Sequence, residues 1–174
     1  LLAFARRQVV ETSVVELDDL LRGTEKMLRR LVGDEIELHT AHLGAGAHVR
    51  VDAAQFEQVV VNLVANARDA IPGGGRIDLG TKVLPVDDAL AASLGLEPGD
   101  HVLLEVRDTG AGIDAATREK LFEPFFSTKA TGTGLGLASA YGIVRQLGGA
   151  IVVESETGEG TRFQVYLPRV GAPA

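Results

Sequence analysis

The run FEQVVVNLVANARDA, from Phe56 to Ala70, constrains this chain more than any other stretch. Phe56, Val59, Val60, Leu63, Val64, Ala67 and Ile71 recur three and four residues apart, which is the pattern of one buried stripe on a helix. Asp52 stands where an N-cap is needed, and Pro72 with Gly73, Gly74 and Gly75 ends the helix. Asn62, Asn66 and Asp69 follow at spacings of four and three, stacking two carboxamides and a carboxylate along a second, polar face. A solvated surface accounts for that spacing as well as a binding site does. Lys or Glu would form helix better than Asn at these places, and this tilts the reading towards use.

The segments around this helix alternate in type. Val14 to Leu17 reads as a short strand, and Asp18 or Asp19 is a candidate cap for a helix through about Val32, with Leu20, Leu21, Met27, Leu28 and Leu31 on its inner face and Gly33 at its end. Glu35 to Ala41 alternates Ile36, Leu38 and Thr40 against Glu35, Glu37 and His39, a half-buried strand. His42 and His48 fall in the turn that follows, before the extended pair Val49 and Val51. Arg76 to Leu84 and His101 to Arg107 are further strands, separated by an acidic, alanine-rich insert from Pro85 to Asp100 with room for a turn of helix. Helices are expected over 115–121, capped by Asp114, and over 135–147. Two last strands, Ala150 to Ser155 and Thr161 to Leu167, form a hairpin, and Arg169 to Ala174 reads as a loose tail. The order does not repeat βα units, so the expected fold is an α/β two-layer sandwich: a mixed β-sheet covered on one face by helices.

At 174 residues and 45% hydrophobic content, the chain has the size and composition of one globular domain. A net charge of -7 argues against a nucleic-acid-binding surface and against direct contact with an anionic membrane. The absence of cysteine excludes disulfides, a thiolate nucleophile and Cys-ligated zinc, and makes an intracellular setting the expectation. The chain starts on LLAFARRQVV without Met, as a piece of a longer protein would.

Two glycine-bearing segments carry candidate chemistry. In DTGAGI, Asp108 closes a strand, where its carboxylate can accept from an exocyclic amine, and Gly110 and Gly112 permit close backbone approach to a flat ligand. Adenine would offer that amine, whereas guanine would set a carbonyl oxygen against it. In GTGLGLA, Gly132 to Ala138, glycines lead into a helix N-terminus, an arrangement suited to phosphates. The spacing is neither that of a dinucleotide fingerprint nor that of a Walker A loop. Asn62 and Asn66 offer amide oxygens, sufficient for Mg2+ when a triphosphate supplies the remaining ligands. Lys129 can approach a terminal phosphate.

These segments together resemble the catalytic, ATP-binding domain of sensor histidine kinases, the Bergerat-type fold shared with DNA gyrase B subunits, Hsp90 and MutL-type ATPases. NLVANARDA resembles that family's N box, DTGAGI its first glycine box, FEPFF its F box, GTGLGLA its second glycine box and GEGTRF its last. The resemblance implies ATP and Mg2+ as ligands. It sets Asn62 and Asn66 on the magnesium side of the triphosphate, Asp69 at the frame of the pocket, and Asp108 on adenine with Thr161 in support. It implies that Gly110 and Gly112 line the base pocket, that Gly132, Gly134 and Gly136 serve the phosphates with Leu135 packing near the base, and that Phe122, Phe125 and Phe126 anchor a lid. It also implies domain limits: residues 1–12 as the end of a dimerisation-hairpin helix and linker, 13–168 as the catalytic domain, and 169–174 as a tail.

Gyrase-like members hold a glutamate four residues before the magnesium-binding asparagine, and here Asn62 occupies that place. An amide is no general base, so the resemblance points to phosphoryl transfer to a histidine rather than to water. Glu57 is left open. His39, His42, His48 and His101 do not stand in an acceptor setting, so the phosphoacceptor hairpin is expected upstream, with a response regulator or receiver domain as the downstream partner and the cytoplasm as location. The loop from Lys129 to Gly134 is about two residues shorter than the resemblance leads one to expect. Alternative readings are a superfamily ATPase, a serine kinase and a non-catalytic nucleotide-binding domain.

Overall fold

A computed structural model describes residues 10–44, 46–123 and 136–173. Five strands form a mixed sheet in the order β2–β4–β5–β7–β6: β2 Ile36–Leu43, β4 Gly75–Val86, β5 Gly99–Asp108, β6 Ala150–Glu156 and β7 Gly160–Pro168. β2 runs parallel to β4, and every other neighbour is antiparallel. β1, Ser13–Glu16, pairs with β3, His48–Val51, as a separate ribbon. The helices α1 Leu17–Val32, α2 Ala53–Asp69 and α5 Gly136–Gln146 share one large apolar core with one face of the sheet. The expected two-layer sandwich is therefore the observed one.

Every residue of the stripe from Phe56 to Ile71 is buried. Asp52 opens α2 by accepting from the Gln55 N–H at 3.1 Å, and its second oxygen takes the Glu11 N–H at 3.0 Å. Opposite the stripe lie Ile77 and Leu79 of β4, Val102, Leu104 and Val106 of β5, and Phe163, Val165 and Leu167 of β7, all at alternate positions. Each such side chain contributes about 1.5–3 kcal/mol by leaving water.

α1 differs from its expected form. It starts at Leu17, so Asp18 lies within the first turn and neither aspartate caps it. Asp18 instead turns inward, 3% exposed, and accepts from the Gly44 N–H at 3.0 Å and the Thr81 hydroxyl at 2.5 Å, pinning the helix to the β2–β3 turn and to β4. The buried row is Leu17, Leu21, Thr24, Leu28 and Val32, which leaves Met27 on the outside at 46% exposure. β2 runs on to Leu43, so His42 belongs to the strand rather than to the turn.

The insert is more ordered than composition suggests. β4 continues through Pro85, which lies beyond the last β2 pair, Leu43 with Lys82, so its missing N–H breaks no bond on that side. Asp87 then caps α3, Asp88–Leu94, through the Leu90 N–H at 2.8 Å. Ala91 and Leu96 close a second, small core with Val86, Leu103, Ala150 and Tyr166 on the reverse face of the sheet. Arg169 and Val170 are also held, their N–H groups donating to Asp100 and His48.

Candidate functional site

α2 sets its two asparagines differently. The Asn62 carboxamide nitrogen donates to the Gly136 carbonyl at 3.0 Å, tying α2 to the first residue of α5, while its oxygen accepts from Gln58 Nε2 at 2.9 Å. Asn66, half-buried one turn further on, makes no side-chain hydrogen bond among the described residues. Its amide oxygen is thus free to take a ligand. Asp69, at the end of the helix, accepts from Arg68 Nε and Nη2 at 3.2 and 3.1 Å.

The end of β5 reaches the C-terminus of α2. A Cβ on Gly110 would lie 2.3 Å from the Ala70 carbonyl oxygen, so only glycine lets the strand end lie this close to the helix end. Gly112, at φ +77°, lies as tightly against Glu156, where a Cβ would meet the carbonyl oxygen at 2.0 Å. The close approach these glycines allow is thus made by the chain's own backbone. It leaves Asp108 2% exposed at the junction, with its Oδ1 accepting from the Gly110 N–H at 2.8 Å. Burial raises the Asp108 pKa above the ordinary carboxylate value, against the lowering effect of the Gly110 and Thr161 backbone N–H groups.

Thr161 stands directly opposite Asp108 in the β5–β7 register and is 3% exposed. Paired residues of an antiparallel ladder share a face, so both side chains belong to the helix-covered side. Ser155 holds this corner together: its Oγ accepts from the Ile113 N–H at 2.7 Å, reaches the Gly160 carbonyl at 3.0 Å and lies 2.9 Å from Thr161 Oγ1. Sequence reasoning missed both Ser155 and Gln58. The only signal for Ser155 was its position in the final hairpin, and for Gln58 its place one turn before Asn62.

α4, Ala115–Lys120, follows with Asp114 as its cap, accepting from the Thr117 N–H at 2.7 Å as expected. Phe122 stacks on Tyr141 of α5 at 5.2 Å and meets Phe163 edge-on at 6.4 Å. Lys129, Gly132, Gly134, Leu135, Phe125 and Phe126 lie outside the described residues. An open cleft of about 770 Å³ between α4 and the β6–β7 hairpin borders Ile113, Ser155 and Thr161 but is lined by neither Asn62, Asn66 nor Asp108. Ser155 and Thr161 border both this cleft and the Asp108 corner. Among the described residues no three His, Asp or Glu side chains form a metal cluster, so a cation here would rely on amide oxygens and on its ligand.

A mixed sheet backed by helices, with a buried aspartate at a strand end beside an asparagine-bearing helix, defines a catalytic ATP-binding domain of the histidine kinase type. Residues 51–171 match the family of histidine kinase-, DNA gyrase B- and HSP90-like ATPases, and the chain belongs to that family. It is 50% identical to the sensor kinase CckA of Brucella abortus over 98% of this chain and 18% of the relative. The chain therefore spans less than a fifth of that relative's length. Among solved structures it is similar to full-length ShkA in complex with AMPPNP (TM-score 0.74, 25% identity, 98% of this chain and 33% of that one). It is also similar to the mycobacterial sensor histidine kinase MprB (TM-score 0.72, 26% identity, 91% of this chain and 98% of that one).

Proposed function

We propose that this domain binds ATP with Mg2+ and delivers the terminal phosphoryl group to a histidine elsewhere in its parent protein. The observation that carries the reading is the Asp108 junction: a buried carboxylate that closes a strand against the end of the helix bearing Asn66. Asp108 accepts from the adenine amine, and Thr161 stands beside it. Asn66 supplies a free amide oxygen towards the triphosphate and its cation. Asn62 holds α2 to the start of α5, so the helix that would carry the magnesium ligand is fixed to the helix whose N-terminal backbone N–H groups would face the phosphates. A bound magnesium ion would neutralise charge on the phosphate oxygens.

Asn62 also favours kinase over hydrolase. Its amide has no basicity with which to activate water, and its oxygen is already engaged by Gln58. In the transfer, the bond between the terminal phosphorus and the ADP oxygen breaks as a bond to an imidazole nitrogen forms, and that imidazole gives up its N–H proton. The acceptor histidine belongs to a dimerisation hairpin outside this chain, and a response regulator or receiver domain takes the phosphoryl group next, in the cytoplasm.

Calorimetric titration with a non-hydrolysable ATP analogue, with and without Mg2+, tests the binding. Asp108→Ala should weaken binding by roughly 1–3 kcal/mol, because the base amine is left unpaired in a buried site. Asn66→Ala should remove the magnesium dependence and leave adenosine binding intact. Equal losses for both ligands would argue for general damage to the pocket. Phosphohistidine appearing on the 174-residue chain alone would sink the assignment of the acceptor to another segment.

A further inference from the structure

Ser155 makes three hydrogen-bond contacts, and two of them decide the direction of the third. A serine hydroxyl has one proton and two lone pairs. The Gly160 carbonyl can only accept, so the Ser155 proton goes there, at 3.0 Å. The Ile113 N–H can only donate, and it takes one lone pair, at 2.7 Å. The remaining contact, 2.9 Å to Thr161 Oγ1, is then satisfied only if Thr161 donates to Ser155. Thr161 has no second proton. To any further partner on the face it shares with Asp108 it presents lone pairs alone.

We propose that Ser155 is a specificity-positioning residue: by taking the Thr161 proton it makes this corner of the pocket acceptor-only, which selects a purine with an amine at C6 over one with a carbonyl there. The proposal rests on the reading of the junction as a purine-nucleotide site. Asp108 by itself disfavours guanine, but a freely rotating threonine hydroxyl beside it would donate to the guanine carbonyl and offset part of that discrimination. Ser155 removes this option without touching the ligand. The Gly160 carbonyl is held in the position this requires by the hairpin, in which Ser155 pairs with Thr161 and Glu156 with Gly160. At Gly160 itself, φ is +85° and a Cβ would lie 2.1 Å from the Asp108 carbonyl oxygen, so the same turn that orients Ser155 is packed against the end of β5.

The test is the ratio of affinities for non-hydrolysable ATP and GTP analogues, measured on the 174-residue chain. Ser155→Ala should lower the ATP preference by about tenfold, the worth of roughly one hydrogen bond gained by the wrong base. Loss of the Ile113 bond loosens the glycine segment for both nucleotides and does not move the ratio, so a merely structural role is distinguishable. Thr161→Val removes the hydroxyl, and adding Ser155→Ala in that background should leave the ratio where Thr161→Val put it. Ser155→Cys, close in size but a poor acceptor, serves if the alanine variant loses its circular dichroism spectrum, and it should lower the ratio in the same direction. A folded Ser155 variant that keeps the full ATP preference, or shifts the ratio equally with and without the Thr161 hydroxyl, overturns the proposal alone. A wild-type chain that binds neither analogue overturns the nucleotide reading and the proposal with it.

Discussion

Gly110→Ala tests whether the junction between α2 and β5 is as tight as its geometry states. The added Cβ would stand 2.3 Å from the Ala70 carbonyl oxygen, where side-chain carbons do not come closer than 3.0 Å, so strand end and helix end must part by at least about 0.7 Å. The obstruction is backbone, which cannot rotate away. The same methyl would lie 2.9 Å from Asp108 Oδ1, the atom that accepts from the Gly110 N–H at 2.8 Å, so the shift also disturbs the carboxylate. Overpacking of this kind costs about 1–3 kcal/mol, a loss that a domain of ordinary stability survives folded. Urea denaturation should show a lower midpoint with an unchanged slope. ATP-analogue affinity should fall by up to about tenfold, because the Asp108 acceptor is displaced. A variant with wild-type midpoint and wild-type affinity would refute the tight junction and the role given to Gly110.

Other substitutions probe separate parts of the same account. Gly142→Ala should act in the opposite direction, raising stability by about 0.5–1 kcal/mol in the same urea series: Gly142 lies in α5 with nothing within 4 Å of its missing Cβ. Phe56→Ala, at a site with no exposure in the middle of the core, should cost about 3–5 kcal/mol in that assay. Asp108→Asn should change how stability depends on pH. A carboxyl whose folded pKa is raised stabilises fully while both states hold the proton, and that contribution is lost as pH rises through the folded value. Denaturation midpoints of the wild type should therefore carry a component falling over that range, above the ordinary carboxylate value, which is missing in Asp108→Asn. Identical pH profiles would refute a buried, ionising Asp108.

What was legible in the sequence was what is local. The stripe of α2 is a periodicity within one segment, and all of it is buried. The caps at Asp52 and Asp114 lie three residues from the N–H groups they bind. Asp18 could not be read this way, because its partners Gly44 and Thr81 are 26 and 63 residues away, and an aspartate near a helix start looks like a cap until the fold brings them in. Met27 departs from its expected inner face for a different reason. It neighbours Leu28 in sequence, but the helical turn sets it well around the axis from the row Leu17, Leu21, Thr24 and Leu28. Ser155 is ordinary as a residue and becomes informative only once the strand register sets it opposite Thr161.

The glycine segments show how far a motif can argue for function. As a motif Gly110 and Gly112 suggest room for a ligand; in the fold they make room for Ala70 and Glu156, so their presence would be required even if nothing bound. The spacing of DTGAGI is therefore first a packing constraint. What packing does not require is the carboxylate it buries: an apolar residue of similar volume at position 108 would avoid the cost of desolvation that raises the Asp108 pKa. A chain that buries an acceptor there opposite Thr161, and leaves the Asn66 amide without a partner among the described residues, gives up stability in the way a binding site does. Unfavourable chemistry held in place sets this corner apart from ordinary packing, and the glycines explain how the fold can hold it.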